Sequence, residues 1–457
     1  MKKNSILKVI GILFLIYVAL SWIIPTGYFN NGEFVQDATA PVGLFDIILY
    51  PFITATSSVF ILTFLVFLMI GAFYGVLNKT ASYPKLLDNL VKKFKGKEKV
   101  VLITTIVLFT LLASLTGLVI PLFVFVPLMA TLLILLGYNK ITAMLSTVGS
   151  ILVGNMASTY GANVAGYIKY LTEDINNSII FRIIFLVVSL GILIYFTLVK
   201  SKAKEKDSEI MLYKKTTKKV STTPLVVIFI LLFIVTFVGM YNWTNVLGIE
   251  LFDNIHKSVT EFKLNGYPLF GNLIGSVSAI GQWSNYELGL ILVVASLIVG
   301  KLYKLTFSEI IEGAIEGIKE ILPVALITLA ANIIFLVINT SSSGYTFYNT
   351  ILNAIIGSRV AIIPFSFATA IGSIFYNDFP YLLSSVYSAT MTLKDQYVLI
   401  GFISQTIHGL MQLIVPTSVI LVAGLTYFKI PYTKWLKEIW KLLLCLFVLT
   451  IIILIFV

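Results

Sequence analysis

Charged side chains are scarce in this sequence. Of its 457 residues only 12% are Asp, Glu, Lys or Arg, whereas 58% are hydrophobic. An ordinary soluble domain contains about 25% charged residues, so this chain has too few to cover a water-exposed surface. The shortage excludes a soluble enzyme and a disordered protein. The single cysteine, Cys445, also excludes a scaffold held by disulfides within one chain.

Motifs for nucleotide or hydrolytic chemistry are missing as well. The sequence contains no phosphate-binding loop, no H-E-x-x-H and no G-x-S-x-G, and His256 and His408 are too few for an ordinary zinc site. Arg182 and Arg359 are the only arginines behind a net charge of +11. We therefore expect no enzyme, no ATP-driven pump, no cofactor and no nucleic-acid partner. The rival classes are a membrane-embedded enzyme, a passive channel and a non-transporting sensor or scaffold.

Long apolar runs dominate what is present. Because about 20 apolar residues cross a bilayer as a helix, the sequence predicts an all-α polytopic membrane protein with about ten to eleven transmembrane helices. The first run follows Lys2, Lys3 and Lys8 and continues to Ile24. It is too long for a signal peptide, so we expect an uncleaved first span.

Lysine-rich segments predict the orientation of the chain. They cover residues 1–8, 79–99, 200–219 and 429–441. Cytoplasmic loops carry the excess of Lys and Arg, so these segments and the N-terminus should be cytoplasmic. The hydrophilic stretch 201–223 is expected to be a linker between a first transmembrane repeat, 1–200, and a second, 224–457.

Weak internal similarity relates the two halves. A shift of 226 residues places 62–103 over 288–329, and a shift of 258 places Ser146 over Ser404 and Thr159 over Thr417. Segment 79–99 is basic, whereas 306–321 is acidic. If the acidic segment lies outside, the repeats are inverted in the membrane, as in many transporters; Lys301 and Lys304 count against that reading.

Four polar or glycine-containing breaks interrupt the apolar runs. Irregular backbone is tolerated at membrane depth only around a protein-enclosed cavity, so such breaks point to a binding site. The alternative is that Ser and Thr bond their own helix and small residues serve packing, as we expect for Gly71-x-x-x-Gly75 and Gly313-x-x-x-Gly317. The candidate substrate- or ion-binding residues are Ser114, Thr116, Asn155, Ser158, Thr159, Asn163, Ser373, Asn377, Asp378, His408, Gln412, Thr417 and Ser418.

Asp378 and His408 are the two ionisable candidates. An ionisable residue within a span is a functional hypothesis by default. Asp378 could coordinate sodium, exchange a proton or pair with a cationic solute, unless it sits at a membrane edge. His408 could relay protons or bond a solute carboxylate, or it could be a satisfied core histidine.

The run from Gly401 to Trp435 resembles the closing signature of the YfcC-like carriers, which are grouped with the anaerobic four-carbon dicarboxylate carriers and the arginine/ornithine antiporters. The matching motifs are Pro416-Thr417-Ser418 and Ile430-Pro431-Tyr432-Thr433-Lys434-Trp435. Similar stretches occur at 25–29, 137–139 and 308–317. The resemblance covers nearly the whole chain, and it implies a multi-pass protein of the bacterial plasma membrane.

That family belongs to a large ion-transporter superfamily. The resemblance implies inverted repeats and two re-entrant hairpins, with Ser158, Thr159, Thr417 and Ser418 near the substrate and coupling ion. The sequence departs from its relatives at Ile120-Pro121, at 373–378, at Ile407-His408-Gly409 and at Gln412. These positions are therefore expected to set the substrate and the ion.

These observations predict a secondary active transporter, ion-coupled or exchanging, that moves a small charged organic solute by alternating access. An amino acid is favoured because Asp378 suits a cationic group, and a four-carbon dicarboxylate is the alternative. The coupling ion would be Na⁺ or H⁺, with a sodium site near Asn155, Thr159 and Thr417. Membrane lipid is the other expected partner, and the oligomeric state stays open, a homodimer included.

Overall fold

The computed structural model describes residues 5–30, 33–161, 178–201, 210–218, 220–341, 343–355 and 361–457. Within them the fold is built almost entirely from helices. In the first half these are α1 (Ser5–Ser21), α2 (Leu44–Thr56), α3 (Ser58–Lys79), α4 (Ser82–Lys93), α5 (Glu98–Thr116), α6 (Val119–Phe123), α7 (Val126–Leu135), α8 (Lys140–Met144), α9 (Ser150–Met156) and α10 (Ile179–Lys200). A π-helical turn, Leu145–Gly149, joins α8 to α9.

The second half begins after the linker. Its helices are α11 (Thr223–Met240), α12 (Trp243–Leu247), α13 (Leu251–Thr260), α14 (Leu269–Ile274), α15 (Asn285–Leu302), α16 (Phe307–Ser341), α17 (Ser343–Ile355), α18 (Ile362–Phe375), α19 (Phe379–Ala389), α20 (Tyr397–Met411), α21 (Val419–Tyr427) and α22 (Tyr432–Leu454).

The predicted polytopic helical membrane fold is confirmed, with one small departure. Strands β1 (Gly27–Asn30) and β2 (Glu33–Gln36) form an antiparallel pair in which Gly27 lies opposite Gln36. The pair is anchored on α17, because the rings of Phe29 and Tyr345 lie 6.3 Å apart. This two-stranded ribbon is absent from the all-α prediction.

Six described helices are long and apolar enough to cross a membrane, fewer than the ten to eleven that the sequence predicts. They are 60–79, 98–116, 179–200, 223–240, 285–302 and 307–338. The other apolar segments are 10–17 residues long: 6–21, 44–56, 119–135 and 362–375. Two of these short segments belong to hairpins, which need not cross the bilayer.

The centre of the fold is the antiparallel pair α3 and α16. An added Cβ at Gly317 would collide with the carbonyl oxygen of Gly71, and one at Gly75 would collide with that of Gly313. The two G-x-x-x-G motifs thus let the backbones touch, as small residues do between membrane helices. Their predicted packing role is confirmed.

The acidic segment 306–321 does not lie on the side opposite to the basic segment 79–99, so this part of the prediction is wrong. Lys79 Nζ lies 3.0 Å from Glu316 and 3.5 Å from Glu312, and Lys214 Nζ of the linker lies 2.5 Å from Glu316. Acidic residues contribute little to topology, and here they neutralise lysines on their own side. The charge contrast is therefore no evidence for inversion.

The two shifts place helices of the first half over helices of the second. Adding 258 to 140–156 gives 398–414, which overlaps α20, and adding 226 to 58–79 gives 284–305, which overlaps α15. The shift of 258 would instead place α3 within α16, so the two shifts assign α3 different partners. The inversion itself and the domain boundaries stay predictions.

The described part of the linker is bound to the helices through its backbone. Leu212 N donates to Glu320 Oε1 (2.6 Å) and Leu212 O accepts from Asn78 Nδ2 (3.0 Å). Tyr427 Oη donates to the carbonyl of Met211 (3.0 Å). Residues 211–214 therefore join α3, α16 and α21 on the side of the lysine-rich segments.

Replacing Gly317 by Ala should destabilise the fold, because the new methyl group has to push α3 and α16 apart. Overpacking of this kind costs about 1–3 kcal/mol, which should lower the midpoint of thermal unfolding of the purified protein. Gly191→Ala is the matched control, since an added Cβ there meets nothing. Equal midpoints for the two variants would contradict the close α3–α16 contact.

Candidate functional site

The first hairpin, α5 to α7, places its tip against the broken end of α9. At the tip Gly117 has a φ of 68°, a left-handed conformation that favours glycine. Ser114 Oγ donates to the carbonyl of Ala157 (2.6 Å), and the amide of Thr159 donates to the carbonyl of Ser114 (3.1 Å). The hairpin thus supplies hydrogen-bond partners to backbone that has left the helix.

The second hairpin, α18 and α19, meets the interruption between α20 and α21 in a similar way. Thr417 Oγ1 donates to the carbonyl of Ile374 (2.9 Å), and His408 Nδ1 lies 3.2 Å from Ser373 Oγ. The carbonyl of Ile374 belongs to the last turn of α18, and Thr417 lies in the interruption. The tip of this hairpin, Tyr376-Asn377-Asp378, follows directly.

Gln405 joins the two broken helices. Its Nε2 donates to the carbonyl of Ser158 (2.9 Å) and to that of Met156 (3.3 Å), while its Oε1 accepts from Arg182. Arg182 also donates to the carbonyl of Ser158 (3.2 Å) and is 2% exposed. A buried guanidinium therefore holds exposed carbonyls at the first break and orients the amide of Gln405.

A cavity of about 210 Å³ lies where these elements meet. Six of the predicted site residues line it: Asn155, Asn377, Asp378, His408, Gln412 and Ser418. The hydroxyl of Ser418 is buried in the wall and has no hydrogen-bond partner among the described residues. Because a buried polar group without a partner is costly, this hydroxyl is free to bond a ligand or water that reaches the wall.

The remaining predicted residues do not reach the cavity. Ser114, Ser158, Thr159, Ser373 and Thr417 are buried behind it and bind the hairpin tips to the breaks. Thr116 donates to the carbonyl of Leu112 (2.6 Å) and lines an apolar pocket beside Phe233 and Tyr241 instead. Asn163 lies outside the described residues.

The predicted sodium ligands are not brought together at the cavity. Asn155 lines it, whereas the hydroxyl of Thr417 is donated to Ile374 and that of Thr159 lies 3.3 Å from Ser114 Oγ. The described residues contain no group of three or more His, Cys, Asp or Glu side chains that could hold a metal ion. A sodium site at this place stays a prediction.

Asp378 supplies the charge of the cavity. It is the only Asp, Glu, Lys or Arg among the lining residues that the structure describes, and it forms no ion pair with a described residue. It lies at the start of α19 and is partly buried. An unpaired carboxylate at membrane depth is expensive unless a cationic partner or water reaches it.

Four residues at or behind the cavity were missed from the sequence. Thr63, Asn332 and Gln405 line it, and Arg182 binds Gln405 from behind. A signal did exist for Asn332 and Arg182, because each is a polar or ionisable residue within an otherwise apolar run. Gln405 does not stand out because Ser404 and Thr406 flank it, and Thr63 does not because single hydroxyl side chains are common in membrane helices.

The fold and the site together define a class of protein, a multi-pass membrane carrier. The chain belongs to the DcuC family, described as C4-dicarboxylate anaerobic carriers, whose sequence model matches residues 4–457. Among solved structures, the crystal structure of the Alcanivorax borkumensis YdaH transporter aligns with 100% of this chain and 98% of that chain, at 11% identity and a TM-score of 0.43. No curated protein matches the sequence.

A cysteine at position 418 should react with a small water-soluble thiol reagent, and the transported solute should protect it, because Ser418 lines the cavity. Thr417→Cys is the matched control, because Thr417 is the adjacent residue in the sequence and its side chain is directed at the carbonyl of Ile374 instead of the cavity. Both are made with Cys445→Ser, because Cys445 is exposed. Faster labelling at 417 than at 418, or labelling of 418 that no solute slows, would contradict the assignment of the cavity.

Proposed function

We propose that the chain is a secondary active transporter that moves a small charged organic solute, an amino acid, across the bacterial plasma membrane by alternating access. The observation that carries the proposal is the carboxylate of Asp378 in a cavity of mixed polar and apolar lining between two hairpin tips and two broken helices. The N-terminus would be cytoplasmic, and the driving force would be an ion gradient, Na⁺ or H⁺, or exchange.

The charge of the cavity supports a solute with a cationic group. A solute ammonium can pair with Asp378, and removing a carboxylate from water is tolerated only when such a partner is present. Among the described residues no Lys or Arg lines the cavity to balance a doubly negative solute. The carboxylate of an amino acid could be bound by neutral donors, for which the amide of Asn155 and the hydroxyl of Ser418 are available.

The size and position of the cavity fit the same role. Its volume of about 210 Å³ far exceeds the roughly 10–15 Å³ that one water needs. Sites of this kind, between discontinuous helices and half-helix ends, bind solutes in many secondary transporters. Each side of the cavity belongs to a separate hairpin, so that movement of one hairpin or the other could open it to one face of the membrane.

A C4-dicarboxylate is the second candidate, and the description of the DcuC family favours it. Under this alternative Asp378 would have to be protonated or bound to a cation during transport. The narrower YfcC-like assignment, in which amino acids are among the solutes, belongs to the first proposal.

A panel of solutes separates the two candidates. A ligand stabilises a folded protein by RT ln(1 + [L]/Kd), about 2.7 kcal/mol at 100 times Kd. L-alanine, L-lysine and L-aspartate should raise the unfolding temperature of the purified carrier more than propionate, 6-aminohexanoate and succinate, which lack the α-amine. Stabilisation by succinate alone would favour the dicarboxylate candidate.

Asp378→Asn should abolish concentrative uptake into proteoliposomes of the amino acid that stabilises the carrier most, because the amide cannot balance a cationic group. Asp395→Asn is the matched control, since Asp395 is an exposed aspartate seventeen residues further along the chain. Unfolding temperatures of both variants should stay close to that of the wild type.

Three results would argue against this role. Uptake at the wild-type rate by Asp378→Asn would remove the carboxylate from transport. Equal losses in both aspartate variants would make the effect nonspecific. Passage of the solute by the wild type without accumulation under an imposed Na⁺ or H⁺ gradient or an exchange gradient would favour a passive channel.

A further inference from the structure

The amide side chains of Gln412 and Asn377 line the cavity beside Asp378. An amide can offer either its NH₂ or its oxygen to a ligand, and the two ends select opposite groups. Each amide is held by a series of hydrogen bonds that ends on a backbone carbonyl of a helix. Because a carbonyl oxygen can only accept, each series has a fixed direction and determines which end of the amide faces the cavity.

The series of hydrogen bonds that holds Gln412 begins at the carbonyl of Thr369. Ser373 Oγ donates to that carbonyl (2.7 Å), which uses the only proton of the hydroxyl. The contact of 3.2 Å between Ser373 Oγ and His408 Nδ1 is therefore a bond in which Nδ1 donates. A neutral imidazole carries one proton, so its Nε2 is left as an acceptor.

The unprotonated Nε2 of His408 determines the orientation of the Gln412 amide. The amide nitrogen of Gln412 lies 3.1 Å from His408 Nε2 and donates to it. The oxygen Oε1 has no partner among the described residues and is the end left for the cavity. His408 is thus a positioning residue for Gln412, and its imidazole joins the second hairpin to the broken helix.

A second series of hydrogen bonds determines the orientation of the Asn377 amide. The amide nitrogen of Asn332, which is 4% exposed, donates to the carbonyl of Thr328 (3.1 Å), so its oxygen faces the other way. That oxygen accepts from the amide nitrogen of Asn377 (2.6 Å). The oxygen of Asn377 is then left for the cavity, as in Gln412.

We propose that Gln412 and Asn377 are specificity-determining residues whose oxygens, together with the carboxylate of Asp378, form an acceptor set for a cationic group. The inference rests on the proposed function and narrows it, since the group recognised would be an ammonium on the solute. An inorganic monovalent cation shares this chemistry, so the experiments below include one. A dicarboxylate would meet acceptors where it needs donors.

The first experiment determines which ring nitrogen of His408 carries the proton, in the absence of any solute. The chain has two histidines, so His256→Gln leaves His408 as the only one, and ¹⁵N spectra of the full-length protein with labelled histidine report each ring nitrogen. The expected result is a protonated Nδ1 and a bare Nε2, unchanged by Thr369→Val, which keeps the backbone carbonyl. A protonated Nε2 in the wild-type cavity would overturn the proposal.

The second experiment exchanges the acceptor at position 412. Gln412→Glu keeps both functions as the protonated acid, since its O–H can donate to His408 Nε2 while the other oxygen faces the cavity, whereas Gln412→Met keeps the length but has no strong acceptor. Because a hydrogen bond to a charged group contributes about 1.5–3 kcal/mol, Gln412→Met should weaken L-aspartate or L-alanine binding about tenfold or more, and Gln412→Glu less than about threefold. Glu weakening these amines as much as Met would overturn the proposal.

Two further measurements are needed. One distinguishes an inorganic cation from an ammonium group of the solute, and the other distinguishes a failure of this inference from a failure of the proposed function. Titration with NaCl alone, at constant ionic strength with choline chloride, tests the inorganic cation. If Gln412→Met weakens Na⁺ binding but not that of the amines, the acceptor set serves an ion and the assignment to a solute ammonium is overturned. If the wild type prefers succinate to L-aspartate, the proposed solute class fails, even where the ¹⁵N spectra show the expected tautomer.

Discussion

The structure depends on hydrogen bonds that the hairpin tips give to interrupted helices. A backbone group without a partner costs several kcal/mol in hydrocarbon, so a helix can be broken at membrane depth only where another element supplies partners. The carbonyl of Ser114 does so for the amide of Thr159, and at the second break the bond runs the other way, from the hydroxyl of Thr417 to the carbonyl of Ile374 at the end of α18. Each hairpin must therefore reach the depth of its own break.

The cavity follows from this constraint. Hairpin tips and unwound segments are where polar side chains are tolerated, and bringing two such pairs together collects them in one place. Gln405 and Arg182 keep the two sets of elements in contact through the carbonyl of Ser158.

The sequence predicted the parts of this arrangement that arise from local composition. Apolar runs indicated the membrane helices, and polar interruptions indicated the breaks. Three residues named from those breaks, Asn155, Asp378 and Ser418, line one cavity in the structure, and their role in binding stays a prediction. The sequence could not separate side chains that face the cavity from those behind it. Ser418 and its neighbour Thr417 differ only in direction, and direction is decided by the packing of the second hairpin.

Two expectations differ from the structure for different physical reasons. The acidic segment 306–321 was assigned to the opposite side of the membrane because its charge differs from that of 79–99, yet Glu316 pairs with Lys79, a tertiary contact that no local pattern reports. Thr116 was included in the site because it lies near the first tip, yet its hydroxyl bonds the carbonyl of Leu112 in its own helix. That local bond is the alternative that the sequence offers for any single Ser or Thr.

The most direct test of the central claim is a cryo-EM structure of the carrier with the amino acid that stabilises it most. The account predicts density for the solute between the two hairpin tips, with its ammonium within hydrogen-bond distance of Asp378 and its density lost in Asp378→Asn. Solute density outside this cavity, or residues 154–161 and 408–418 forming continuous helices apart from each other, would contradict it.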